Sequence, residues 1–173
     1  MRFSEEVYNI RSFQTIPNIA KDLMSRNYLL RKKAREELIE IGKPSLDVLV
    51  DLVKSKDETV RWEAMITIIQ IGSEETLDIL LKALEDEEFS IRWLAADGLV
   101  NLGKYAIRPI LMKLMDNPDS AFIRRGAKHV LRELKKKGVF KDNYGLVETL
   151  ANEIDHPNIL LQTLKTINSI RIT

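Results

Sequence analysis

Apolar residues in this chain return at steps of three and four, the spacing of a single helical face. Val60, Ala64, Ile68 and Ile71 form one such stripe, in the segment TVRWEAMITIIQIG. The segment SIRWLAADGLVNLG repeats it 31 residues later, with Ile91, Ala95, Leu99 and Leu102. Upstream, LLRKKAREELIEIG carries Leu30, Ala34, Leu38 and Ile41 in the same places, and downstream FIRRGAKHVLRELK makes a fourth copy. In every copy an arginine follows the first aliphatic residue (Arg31, Arg61, Arg92, Arg124), and an alanine comes three residues later (Ala34, Ala64, Ala95, Ala127). A small side chain in mid-stripe lets a second helix approach closely. Gly42, Gly72 and Gly103 stand 11 residues after their arginines, where a helix C-cap is predicted; the fourth copy has Lys135 there and delays its glycine to Gly138.

A second amphipathic segment follows each of the first three glycines: PSLDVLVDLVK, ETLDILLKALE and AIRPILMKLMD. Their apolar columns read Leu49/Ile79/Ile110, Val50/Leu80/Leu111 and Val53/Ala83/Leu114. Pro44 and Pro109 both fit a first helical turn, where the missing N–H costs nothing. The acidic turns SKDET, EDEEFS and DNPDS then lead to the next arginine, so each copy is a helical hairpin of 30–32 residues. One hairpin cannot cover its own stripe, but stacked hairpins bury each other's flanks. Each fully buried aliphatic side chain then stabilises the stack by roughly 1.5–3 kcal/mol before entropy is subtracted.

The predicted fold is all-α: a single domain over 1–173, with a cap at 1–27, copies at 28–57, 58–88, 89–119 and 120–154, and a closing helix at 155–173. Within the cap, SEEVYNIRSF opens on a candidate N-cap, Ser4, and TIPNIAKDLMSR aligns with a second helix. YGLVETLANEI reads as the fourth copy's second helix after the longer linker KKKGVFKDN, and NILLQTLKTINSI as a further first helix with Leu160 in place of arginine. This makes about eleven helices, in five hairpins and one closing helix.

The unit of acidic turn, aliphatic-Arg, alanine, leucine, glycine and second helix resembles the HEAT-like repeats of the phycobilisome-lyase type. DETVRWEAMITIIQIG and DEEFSIRWLAADGLVNLG carry the likeness best, 28–137 carry it overall, and the two ends only loosely. The resemblance implies a right-handed α-solenoid with first helices on the convex side and second helices lining a concave surface. Enzymes and pure scaffolds share this architecture, so it does not by itself imply an activity. The bilin lyases and isomerases act on chromophores held through cysteine, and nothing local here marks a bilin pocket. The deoxyhypusine hydroxylases set His-Glu pairs on successive repeats, whereas His129 and His156 are the only histidines and neither precedes a glutamate.

Composition narrows the chemistry. The chain has no cysteine, which removes disulfides, thiolate metal sites and thiol nucleophiles and suits a reducing cytoplasm. No apolar run reaches signal-peptide or membrane-span length, so a cytoplasmic protein without membrane attachment is expected. Phosphate loops, nucleophile elbows and histidine-rich metal motifs are missing, and no cofactor, metal or catalytic residue is expected. A carboxylate pair set across neighbouring copies would leave no local motif and stays open as a minor alternative.

Charge points to binding. Net charge is only +1, yet residues 45–103 carry 5 basic and 13 acidic side chains, and residues 104–141 carry 11 basic and 3 acidic. Asp47, Asp51, Asp78, Lys82, Glu85, Arg108 and Lys113 are the expected exposed positions of the second helices. On the concave surface that the resemblance implies, they would grade from acidic to basic and favour a protein partner with the opposite gradient. The alternative is a nucleic-acid-binding module using the basic helix, with Arg124, Arg125, Lys128, Arg132, Lys135, Lys136 and Lys137. The bland reading of that helix is a solvated face whose lysines complement the helix dipole. The arginine column, with Asp57, Glu88 or Asp119 just ahead, is expected to tie acidic turns to helix ends rather than bind phosphate. Trp62 and Trp93 follow their arginines on the face away from the hairpin seam. They are expected against neighbouring first helices, with an apolar docking stripe as the alternative. His129 and His156 read as ordinary surface or turn residues.

Overall fold

The structure is a computed structural model that describes residues 15–151 and 156–170. Every regular element among them is helical, as the periodicity requires. The candidate cap at Ser4 lies outside the described residues. The chain divides into two compact units, Met1–Thr76 and Leu77–Thr173.

The first unit holds α1 (15–22), α2 (Tyr28–Ile41), α3 (Leu46–Leu52) and α4 (Glu58–Ile71). Asn27 and Asp57 cap α2 and α4, accepting from the N–H groups of Leu29 and Thr59 at 2.9 and 2.8 Å. Helix α4 packs on both α2 and α3, so a first helix contacts the preceding first helix as well as the preceding second helix. Ala34, Leu38, Val60, Ala64 and Ile68 are buried as their stripe predicts. Ile41 and Ile71, at the helix ends, are half-buried, and Leu30 is exposed. No first helix precedes α2 among the described residues to cover it.

The second unit holds α5 (Leu77–Ala83), α6 (Phe89–Leu102), α7 (Lys104–Asp116), α8 (Ala121–Lys136), α9 (Leu146–Thr149) and α10 (His156–Ser169). The same scheme recurs: α6 packs on α5 and α8, and α8 packs on α7. The alanine column stays closed through Ala95 and Ala127. Gly103 ends α6 at φ 62° and ψ −127°, and Gly72 ends α4 in the left-handed region at φ 65° and ψ 25°. Only glycine enters the first of these without a steric penalty.

The structure corrects several details. The second helices are offset by 31 residues, so the buried column is Leu49, Leu80 and Leu111, and Ile79 is only half-buried. Ser73 is the extra residue between Gly72 and the short 3-10 turn Glu74–Thr76, which matches Lys43–Ser45 in the preceding copy. Buried Ser45 and Thr76 close these turns, their hydroxyls donating to Leu38 O at 2.9 Å and Ser73 O at 2.6 Å. Pro44 sits at the start of its turn as expected, but Pro109 lies inside α7. There α7 begins directly at Lys104 and absorbs the turn that the other copies keep separate. The fourth second helix is reduced to α9, Leu146–Thr149. Asp142 caps it, accepting from Leu146 N at 2.7 Å and Val147 N at 3.3 Å. Helix α10 packs on α7 and α9 and opens at His156, which therefore begins a helix rather than lying in a turn.

Candidate interaction surfaces

The arginine column is structural, and it acts on backbone. Arg31 Nη1 donates to the carbonyls of Ser25 and Arg26 at 2.9 and 3.2 Å. Arg61 reaches Ser55 O and Lys56 O at 2.8 and 3.3 Å, and Arg92 reaches Asp86 O and Glu87 O at 2.7 and 2.8 Å. Arg124 repeats the contact on Pro118 O at 2.8 Å. In each case the guanidinium satisfies carbonyls just past the end of a second helix, where the helix dipole is negative. Where two carbonyls are served, both bonds leave the one nitrogen Nη1.

The second-helix face carries the charged residues that the pattern placed there. Asp47, Asp51, Asp78, Lys82, Glu85 and Arg108 are exposed, and Lys113 is half-buried. Lys113 pairs with Glu85 at 2.7 Å, and Glu85 also accepts from Ser120 Oγ at 3.3 Å. Asp51 pairs with Lys54 at 2.9 Å. Asp47, Asp78, Lys82 and Arg108 are not engaged by another described residue.

The basic helix α8 is largely neutralised from within. Lys135 pairs at 3.1 Å with Asp142, the buried carboxylate that also caps α9. Glu133 holds both Lys136 at 2.9 Å and Arg132 at 3.2 Å. The Lys136 hydrogen bond, with Arg132 adding to it, keeps the Glu133 carboxyl below the ordinary glutamate range. Arg124 is committed to the turn, and Arg125 also has a partner. Lys128 and Lys137 have no such partner among the described residues.

Both tryptophans line grooves between successive first helices. Trp62 shares one with Tyr28, Arg31 and Glu58, between α2 and α4. Glu63 stands at its side, 1% exposed, and its two oxygens accept from Arg31 Nε at 2.9 Å and from Arg35 Nη1. Trp93 lines the groove between α6 and α8, a cavity of about 140 Å³. Its ring lies 4.5 Å from that of His129, whose Nε2 is 2.9 Å from an Asp97 carboxylate oxygen. His129 is thus half-buried and paired, not an ordinary surface residue. Trp93 reaches the neighbouring first helix at His129, Trp62 faces its neighbour across the groove, and each leaves a large part in solvent, 37% for Trp62 and 47% for Trp93.

Among the described residues no group of three or more histidine, aspartate or glutamate side chains is placed to hold a metal, and no helix is long and apolar enough to cross a membrane. Residues 16–92 match the family model for HEAT repeats. Over that stretch the chain is HEAT-like. No curated protein matches its sequence. Several residues of these grooves went unread in the sequence: Glu63, Phe89, Phe122, Ala96 and Gly126. The available signal was the register itself, because each occupies a fixed place relative to its copy's arginine.

Proposed function

We propose that this HEAT-like repeat protein is a non-catalytic scaffold that binds a protein partner along its second-helix face. The carrying observation is that Asp47, Asp78, Lys82 and Arg108 stand exposed and unengaged among the described residues. Such charges meet a complementary partner without first breaking an internal pair, which favours fast and selective encounter. Asp51 in the first unit, and Glu85 and Lys113 in the second, add to the charge of the second helices, and on the concave surface implied by the family resemblance they would complete the acidic-to-basic gradient. The finer likeness to the phycobilisome-lyase type of repeat rests on the aliphatic-Arg, alanine and glycine columns. Internal neutralisation of α8 weighs against the nucleic-acid alternative.

The test is affinity capture from native lysate with wild type and with Asp47→Lys, Asp51→Lys, Asp78→Lys combined, each with and without nuclease. The reading expects a protein partner retained after nuclease and lost on charge reversal. Capture that survives the reversal refutes the assigned face. Capture abolished by nuclease transfers the function to α8.

A further inference from the structure

The two grooves between first helices share one register but differ at their centre. In the α2–α4 groove, Arg35 stands four residues after its column arginine and Glu63 two residues after the next one, and this ion pair bridges the helices beside an open space of about 340 Å³ edged by the charged Arg31 and Glu58. In the α6–α8 groove the same two places hold Ala96 and Gly126. Both side chains are cut to the minimum, and the cavity of about 140 Å³ lies where the ion pair would be. Gly126 is not there for its backbone freedom. A Cβ added to it would come within 2.9 Å of Leu84 Cδ2, so glycine permits close approach at the cavity floor.

The rim is aromatic and cationic. Phe89, Trp93 and Phe122 are 67%, 47% and 41% exposed, a cluster of large apolar rings held at the surface. Arg92 is fixed by its two turn carbonyls and stacks over Phe122, 4.2 Å from the ring centroid. Arg125 completes the wall, and Arg132 stands behind His129, with Nη2 3.5 Å from Nδ1. Asp97, a carboxylate at this rim, is turned onto His129.

We infer that the α6–α8 groove is a docking site for an acidic peptide segment that inserts one aromatic side chain. The apolar cavity takes the anchor, and Arg92, held by backbone carbonyls rather than by a carboxylate, faces the flanking carboxylates with Arg125 beside it. A buried aromatic anchor ringed by arginine is the arrangement that concentrates binding energy at protein interfaces. A nucleic acid is the weaker fit, because one local apolar pocket does not make a continuous backbone track. The site is separate from the second-helix face, so it stands or falls independently of the proposed scaffold function.

The test uses the full chain and a fluorescein-labelled peptide, Glu-Asp-Glu-Phe-Glu-Asp-Glu, followed by anisotropy and by tryptophan fluorescence. Saturable binding is expected. Replacing the peptide's Phe by Ser, or making Phe122→Ala or Arg125→Glu in the protein, should each weaken it by about tenfold or more. The peptide substitution leaves the protein untouched, and circular dichroism checks that the exposed-site variants fold. The combined Asp47→Lys, Asp51→Lys, Asp78→Lys variant should bind the peptide at least as well as wild type. No saturable binding, equal binding of the Ser peptide, or indifference to both protein variants overturns the inference. So does a single-stranded oligonucleotide that binds more tightly in a Phe122-dependent way, or self-association by sedimentation that Phe122→Ala abolishes.

Discussion

Replacing Glu63 by glutamine tests what holds α2 against α4. The change is nearly isosteric, so packing survives while the negative charge is lost and one oxygen becomes an N–H donor facing a guanidinium. Glu63 is 1% exposed and serves both Arg31 and Arg35, whose side chains are 16% and 14% exposed. Removing one partner of a fully buried pair costs about 3–5 kcal/mol. Water reaches the two arginines in part and screens the charge left behind, so we expect a loss of about 2–4 kcal/mol. Urea unfolding should show this as a lower midpoint with an unchanged slope, and hydrogen exchange should place the lost protection between Tyr28 and Ile71. Arg35→Met should cost less when combined with Glu63→Gln than in wild type, with a coupling of about 1–3 kcal/mol. A Glu63→Gln variant within about 0.5 kcal/mol of wild type would refute the clasp as a stabilising element.

Other outcomes follow from the same contacts. Arg61→Lys keeps the charge but replaces the planar guanidinium, whose Nη1 reaches Ser55 O and Lys56 O, by a shorter and more strongly hydrated ammonium, and should lower stability by about 1–3 kcal/mol in thermal or urea melts. Gly103→Ala meets no atom within 4 Å, so its whole cost is the backbone at φ +62°, about 1–3 kcal/mol by calorimetry. Asp142→Ala removes the α9 cap together with the Lys135 pair and should cost about 1–2 kcal/mol, with exchange at Leu146 and Val147 accelerated first. The Glu133 carboxyl should titrate by NMR below an ordinary glutamate. Its folded value is depressed, so its contribution is present above the unfolded value and is lost as pH falls through the folded one. A Glu133 midpoint at the unperturbed value would refute the Lys136 and Arg132 clamp.

The helices, their hairpin pairing and most of the core were legible in the chain alone, because a three-and-four periodicity repeated in four copies is a local signal. The structural role of the arginines was legible too, although not that their acceptors are backbone carbonyls. Where one residue was inserted, at Ser73, the alignment slipped, since only packing tells Leu80 from Ile79 as the buried member. Pro109 was misplaced for a related reason: whether α7 absorbs the preceding turn depends on the backbone at Gly103, which composition does not reveal.

The grooves exist only in the packed chain. Arg35 and Glu63 are 28 residues apart, and Ala96 and Gly126 likewise face each other only because α8 packs on α6. A glutamate, an alanine and a glycine are unremarkable one at a time. Whether such a pair lines a groove with charge or with apolar surface is a property of two helices brought together, and that information lies between copies rather than within one.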